Sequence, residues 1–193
     1  MEYLYRKYSY LCKRITKIKL YMENWQNFFL QRMGMDEDNH PYPVCESVSK
    51  WNVWCSEIPF KLFEKMKEPA KRTWFDQHGD DEYIPEGGLF AEAYEMTIKF
   101  GCRKEGTDDD VRENVASFLE YLRKSGMMKM YSSYTETGRQ NVRLQSVSDN
   151  AKWKNENGEK WLVFGIDLKV NDPLTEIVPN EDYTDLEEDS NNI

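Results

Sequence analysis

The stretch from Phe90 to Arg103 constrains this chain more than any other. Phe90, Tyr94, Met96, Ile98, Phe100 and Cys102 stand at even positions, while Ala91, Ala93, Glu95, Thr97, Lys99 and Arg103 stand at odd ones. Alternation of this length puts one set of side chains on a core and the other outward, which is a half-buried β-strand. One strand of this kind needs neighbours, so the chain has to supply a sheet and something to cover it.

The residues that follow supply both. Gly106-Thr107 opens a helix: Thr107 is the cap, Asp110 holds the capping-box position, and Asp108, Asp109 and Asp110 sit where the helix dipole favours negative charge. Val111, Val115, Phe118, Leu119 and Leu122 form the apolar stripe, Arg123 and Lys124 fill the last turn, and Gly126 stops the helix. Met127 to Tyr134 reads as a strand, 135–139 as a turn and Asn141 to Ser148 as the returning strand. Asn155 to Gly158 turns again, and Glu159 to Val170 carries Leu162, Phe164, Ile166, Leu168 and Val170 on one face until Asp172-Pro173 ends it. Residues 90–175 are therefore expected to form a strand-helix-strand-hairpin core.

The flanks differ in chemistry. Residues 1–35 read as a basic helical arm, with Tyr5, Tyr8, Leu11, Cys12, Ile15 and Ile18 near a 3.6 period and seven basic against two acidic residues. Either this is a docking helix with a solvated charged face, or it touches nucleic acid or an acidic partner. Met22 opens a chemically different segment and is a second candidate start. Residues 36–89 read as an aromatic-rich loop and edge-strand segment. Within it, Trp51 to Phe60 is a short strand, 61–72 a polar helical turn, and Trp74 to Pro85 a loop with a glycine turn. Residues 176–193, with seven acids and no base, read as a disordered acidic tail.

The net charge of -9 leaves an acidic middle, which argues against phosphate-backbone binding by the main domain. Cys12, Cys45, Cys55 and Cys102 match no zinc or redox spacing, and they are expected to be thiols in a reducing compartment. Neither a secretory signal nor a membrane span is legible. His40 and His78 have no nucleophile placed beside them, and the acids around His78 (Asp76, Asp80, Asp81, Glu82) lack calcium-loop spacing. Gly87-Gly88 precedes a strand and so makes no phosphate cradle. The reading is a protein with no enzymatic activity, no catalytic residue, no cofactor and no metal.

The order of the elements resembles a family. An Asp/Gly loop ending in Tyr83-Ile-Pro85 leads to the strand Tyr94-Glu-Met-Thr-Ile-Lys-Phe100, and a helix ending in Phe118-Leu-Glu-Tyr-Leu122 follows. Then come Met130-Tyr-Ser-Ser-Tyr134, Gly138-Arg139-Gln-Asn-Val-Arg143, and Phe164-Gly-Ile-Asp-Leu-Lys-Val170 running into Asp172-Pro173. Over about residues 50–175 this is similar to the distal-tail and related tail-tube-derived proteins of siphophages and prophages. Their Phe-x-x-x-Phe-x-x-x-Asp-Pro pattern would fall on Phe164, Leu168, Asp172 and Pro173, with Leu168 in place of the second aromatic. The basic N-terminal helix departs from that pattern and leaves a tail-completion, neck or adaptor role open.

The resemblance implies an α+β fold, a β-sandwich-like antiparallel sheet domain with one packed helix, here preceded by an N-terminal helix. It implies a virion tail component, assembled in the bacterial host cytoplasm as a ring, often a hexamer. Its partners would be itself and other tail proteins, with DNA passing through the lumen without specific binding and no membrane contact. A closed ring needs a heterologous interface. Trp51, Trp54, Phe60, Phe63 and Trp74 are the candidate anchors, unless they cover the sheet of their own subunit.

Overall fold

The computed structural model describes residues 27–189 apart from 56, 57, 59, 62, 148–150 and 157. Of the basic helical arm expected over 1–35, residues 1–26 lie outside the described residues. Twelve strands and two helices are described, and eight of the strands form one antiparallel sheet with the order β2-β1-β7-β8-β10-β6-β3 and β9 beside β10. The strands of this sheet are β1 (Phe28–Arg32), β2 (Cys45–Glu46), β3 (Val53–Cys55), β6 (Tyr94–Arg103), β7 (Met127–Ser132), β8 (Thr137–Val147), β9 (Lys152–Glu156) and β10 (Glu159–Val170). An α+β sheet domain with a packed helix is what the alternation and the capped helix required.

The sheet is strongly curled. Strands β1 and β6 are separated by β7, β8 and β10. Four flat strand spacings would hold them ~19 Å apart. Yet Phe28 on β1 and Phe100 on β6 have ring centroids 5.2 Å apart, so the two ends of the sheet face each other across one core. The chain closes the remaining gap itself. Edge strand β2 leads through the five-residue helix α1 (Ser47–Trp51) directly into the opposite edge strand β3. Glu46 caps α1 by accepting from Val48 N and Ser49 N at 3.2 and 2.9 Å. Asn52 then ends it in the left-handed region at φ 51°, and its side chain donates to Arg103 O at 3.0 Å on β6. Short edges joined in this way leave little unpaired backbone to template aggregation.

Helix α2 (Asp108–Ser125) fills the concave side. Its capping box is complete although the third position is Asp rather than Glu: Asp110 N donates to Thr107 Oγ1 at 3.2 Å and Thr107 N donates to Asp110 Oδ2 at 2.6 Å. The shorter carboxylate reaches back because residue 106 is glycine, where a Cβ would stand 2.3 Å from Asp110 Oδ2. Val111, Val115, Phe118 and Leu122 are buried. Phe118 has no exposed surface, and its ring lies within 5.4 Å of Trp51 and of Phe100, 6.0 Å of Phe28 and 6.2 Å of Phe164.

Three expectations are corrected. The helix expected to run to residue 35 is not found over 28–32: these residues form β1, with Phe28 and Leu30 in the main core and Phe29 turned to the opposite face. The alternation begins at Tyr94 rather than Phe90, because residues 90–93 belong to a projecting ribbon. The acidic tail is ordered as far as the described residues reach. It forms a hairpin of β11 (Ile177–Pro179) and β12 (Leu186–Glu188). Ile177 and Leu186 are fully buried with Tyr131 in a second small core on the convex face, and two apolar residues among the acids are enough to seat it. Gly138 makes room for this hairpin, since a Cβ there would lie 2.5 Å from the Ile177 side chain and 2.6 Å from its carbonyl oxygen.

Candidate assembly interface

Between β3 and β6 the chain leaves the body. Residues 63–93 run out and back as a ribbon, tied along its length by Lys67 N donating to Phe90 O at 2.8 Å, Glu92 N donating to Lys65 O at 2.6 Å and the bridge between Met66 and Ala91. The Lys65–Glu92 ion pair, 2.8 Å, lies on the same ribbon; it raises the lysine's pKa and lowers the glutamate's. The outer part is a second hairpin of β4 (Ala70–Thr73) and β5 (Asp80–Tyr83). All eight of its strand residues are exposed, so neither face is covered by the body. The expected helical turn over 61–72 is therefore extended chain. The expected loop over 74–85 is a hairpin turn, with Gly79 at φ 85°, followed by a strand.

Local contacts hold the tip. Thr73 Oγ1 donates to Asp80 Oδ1 at 2.7 Å, and Lys71 pairs with Asp80 at 3.4 Å; these hydrogen bonds lower the Asp80 pKa. The Arg72 guanidinium stacks on Trp74 at 3.6 Å. Beyond them Phe75 is 100% exposed and Phe63 86% exposed, with Tyr83, Ile84 and Phe90 also in solvent.

The ribbon's root is fixed through Arg139, which is buried on β8. Its guanidinium donates to Glu176 Oε1 at 3.0 Å, to Gly138 O at 2.9 Å and to Lys61 O at 3.4 Å, while its Nε has no partner among the described residues. Lys61 N donates in turn to the Tyr94 hydroxyl at 3.2 Å. Burial raises the Tyr94 pKa against the opposing pull of the Lys61 backbone and Arg139. One side chain thus joins the ribbon root, the sheet and the C-terminal hairpin.

The five candidate anchors separate. Trp51 and Phe60 are core residues, 3% and 9% exposed, and cannot be contact anchors: Trp51 packs on Phe118 and Tyr121. Trp54 is half-buried, with its indole N–H on Asn52 Oδ1 at 3.1 Å. Trp74 is half-buried under Arg72, and Phe63 alone of the five is fully presented. Phe75, Tyr83 and Phe90, exposed on the same ribbon, are not among the five, although the run of aromatics around a glycine turn marks the place.

The terminal Asp172-Pro173 is a structural device. Asp172 Oδ1 accepts from Leu174 N and Thr175 N at 3.2 and 3.1 Å, and Oδ2 accepts from Gln140 Nε2 at 3.0 Å. Burial pushes this carboxyl up, but the hydrogen bonds outweigh it and hold it below its ordinary value. Asp108 pairs with Lys160 at 2.9 Å and with Lys104, two contacts that serve the helix start. His78 lies exposed in the hairpin turn, and His40 sits 4.0 Å from Asp36 in a separate loop. Among the described residues, no group of three His, Cys, Asp or Glu side chains converges as a metal site, and no helix is long and apolar enough to cross a membrane.

The residues gathered in this way form an exposed, aromatic-bearing ribbon that projects from a curled-sheet domain. No family model matches the chain, and no curated protein matches it. Among solved structures, it is similar to the distal-tail protein Dit (gp 19.1) of phage SPP1, described as a paradigm of the hub adsorption apparatus in phages infecting Gram-positive hosts. The TM-score is 0.49 and the identity 14%, over 79% of this chain and 52% of that one. The chain spans about half the length of that protein.

Proposed function

We propose that this protein is a structural component of a phage or prophage tail, of the distal-tail or tail-tube kind, that works by assembling with copies of itself into a ring. The observation that carries the assembly reading is the ribbon. A two-stranded hairpin is marginal in water without a covered face. This one presents Phe63 and Phe75 to solvent and keeps none of its strand residues against its own subunit. Exposed aromatic groups on a projecting element are spent on a partner surface. The resemblance of about residues 50–175 to tail proteins, carried by the order of their elements, supplies the setting. The ring would have heterologous contacts, each ribbon reaching the body of the next subunit, with other tail proteins above and below and DNA passing through without specific binding. The alternative adaptor role rests on basic residues 6–19, which lie outside the described residues.

The test is the oligomeric state of the full chain by light scattering and electron microscopy. It is set beside a variant in which residues 68–89 are replaced by a two-residue turn joining Lys67 to Phe90, which are already hydrogen-bonded neighbours. The intact chain is expected to form rings, and the shortened one to be a monomer whose urea unfolding midpoint stays close to the parent's. A full-length monomer at high concentration, or rings that survive removal of the ribbon, would overturn the reading.

A further inference from the structure

The segment that closes the sheet carries a second arrangement that has no part in the ribbon. Cys45 lies on edge strand β2 and Lys50 in the last turn of α1, and Lys50 Nζ is 3.0 Å from Cys45 Sγ. The amine is held from two other sides, 4.7 Å over the Trp51 ring and 4.9 Å over the Tyr121 ring. Burial foremost, and then the neighbouring Cys45, push the Tyr121 hydroxyl well above its ordinary value. Cys45 is itself 7% exposed, and the pair lines an open cleft of about 360 Å³ with Arg32, Tyr42, Trp51 and Tyr121, which is the route by which a small oxidant would reach the sulfur. Cys102 is a contrast: it has no exposed surface, and burial pushes its thiol up to about 11.

We infer that Cys45 and Lys50 form a redox-controlled covalent cross-link, a single oxygen atom bridging Sγ and Nζ, with dioxygen as the oxidant. The sum is R–SH + R′–NH2 + O2 giving R–S–O–NH–R′ + H2O. The S–H bond and one N–H bond break, and S–O and O–N bonds form. Sulfur and nitrogen together give up four electrons, one oxygen atom stays in the bridge, and the other leaves as water. Cysteine oxidation of this kind starts from an accessible sulfur with an electropositive neighbour. The separation is close to what one bridging oxygen spans, and the two aromatic faces hold the amine against wandering. The link would tie β2 to the end of α1, the two elements that carry the chain from one sheet edge to the other. Oxidation would therefore lock the closure and reduction would free it.

The experiment is peptide mapping of the full chain, purified under reductant and then held in dioxygen-saturated buffer. The bridged peptide gains about 14 Da, one oxygen minus two hydrogens. Trypsin no longer cuts after Lys50, so the peptide carrying Cys45 runs on to Lys61. Both changes disappear with dithiothreitol, and the melting temperature rises on oxidation and falls again on reduction. Lys50→Arg keeps the charge but loses the amine, and it shows neither the mass gain nor the shift in melting; Cys45→Ser behaves the same way. A thiol that stays unmodified, or a sulfur that gains one or more oxygens while trypsin still cuts after Lys50, would overturn the inference.

Discussion

Phe118 and Phe75 carry the same side chain, one with no exposed surface and the other fully exposed. Around Phe118 the sheet curls until residues from β1, β6, β10 and α1 meet on a single ring. Around Phe75 there is only a two-stranded ribbon whose polar contacts are made within itself. Burying a phenylalanine is worth about 1.5–3 kcal/mol. The body has collected that gain, and the ribbon has not. In the proposed ring, stability and assembly would reside in different parts of one chain, and substitutions should separate them.

The largest effect is expected at Phe118. Phe118→Ala opens a cavity where four other rings converge and should cost about 3–5 kcal/mol in urea unfolding. Arg139→Ala comes next, at about 2–3 kcal/mol, because it removes buried charge-assisted hydrogen bonds joining the ribbon root to the C-terminal hairpin. Arg139→Lys should recover little of this, since one ammonium cannot span Glu176 and Lys61 as the guanidinium fork does. If Arg139→Ala proved as stable as the parent, body and ribbon would be less tightly joined than these contacts imply.

The body was legible in the sequence where local signals agreed with the tertiary outcome. Tyr94 to Arg103 alternates cleanly because one face meets the core and the other meets solvent, and Thr107 to Gly126 carries its own cap and stop. Phe28 to Arg32 was not legible. A run of adjacent apolar residues buried on both faces of a sheet looks the same as part of a helix, and only the distant partner β7 decides between them. The C-terminal hairpin was hidden for another reason: composition speaks for disorder, while the decision rests on Ile177 and Leu186 and on the space that Gly138 leaves. At the candidate interface the aromatic segment was visible as a segment. Which of its rings turn inward was not, since Trp51 and Phe63 differ in their surroundings and not in their kind.

A smaller effect tests the start of α2. The hydrogen bonds from Lys104 and Lys160, with the charges of those lysines, lower the Asp108 pKa from 3.8 to about 2, against a weaker opposing push from desolvation. A carboxyl depressed by folding adds stability above its unfolded value and loses it as the pH falls through the folded one. The parent should therefore lose this contribution between pH 3.8 and about 2. Asp108→Asn should be somewhat less stable at neutral pH and show a shallower fall across that window. Denaturant midpoints taken at intervals through it would show the difference in slope, and parallel curves would remove the ion pair from the account.

The smallest effect on stability belongs to the ribbon, and it is the one that bears most directly on the contrast between the two phenylalanines. Phe75→Ser touches no core contact, and a fully exposed site away from any cap or buried pair usually changes stability by no more than about 0.5 kcal/mol. Its urea midpoint should match the parent's. Its assembly should not, because a central aromatic anchor is where binding energy concentrates. In the proposed ring, Phe75→Ser and Phe63→Ser should each raise the concentration needed for oligomers in light scattering, and the double variant should raise it further. A loss of unfolding stability comparable to that of Phe118→Ala would mean the ribbon folds back on its own body in solution. Unchanged stability with unchanged assembly would mean that the exposed rings serve some contact other than the one between copies.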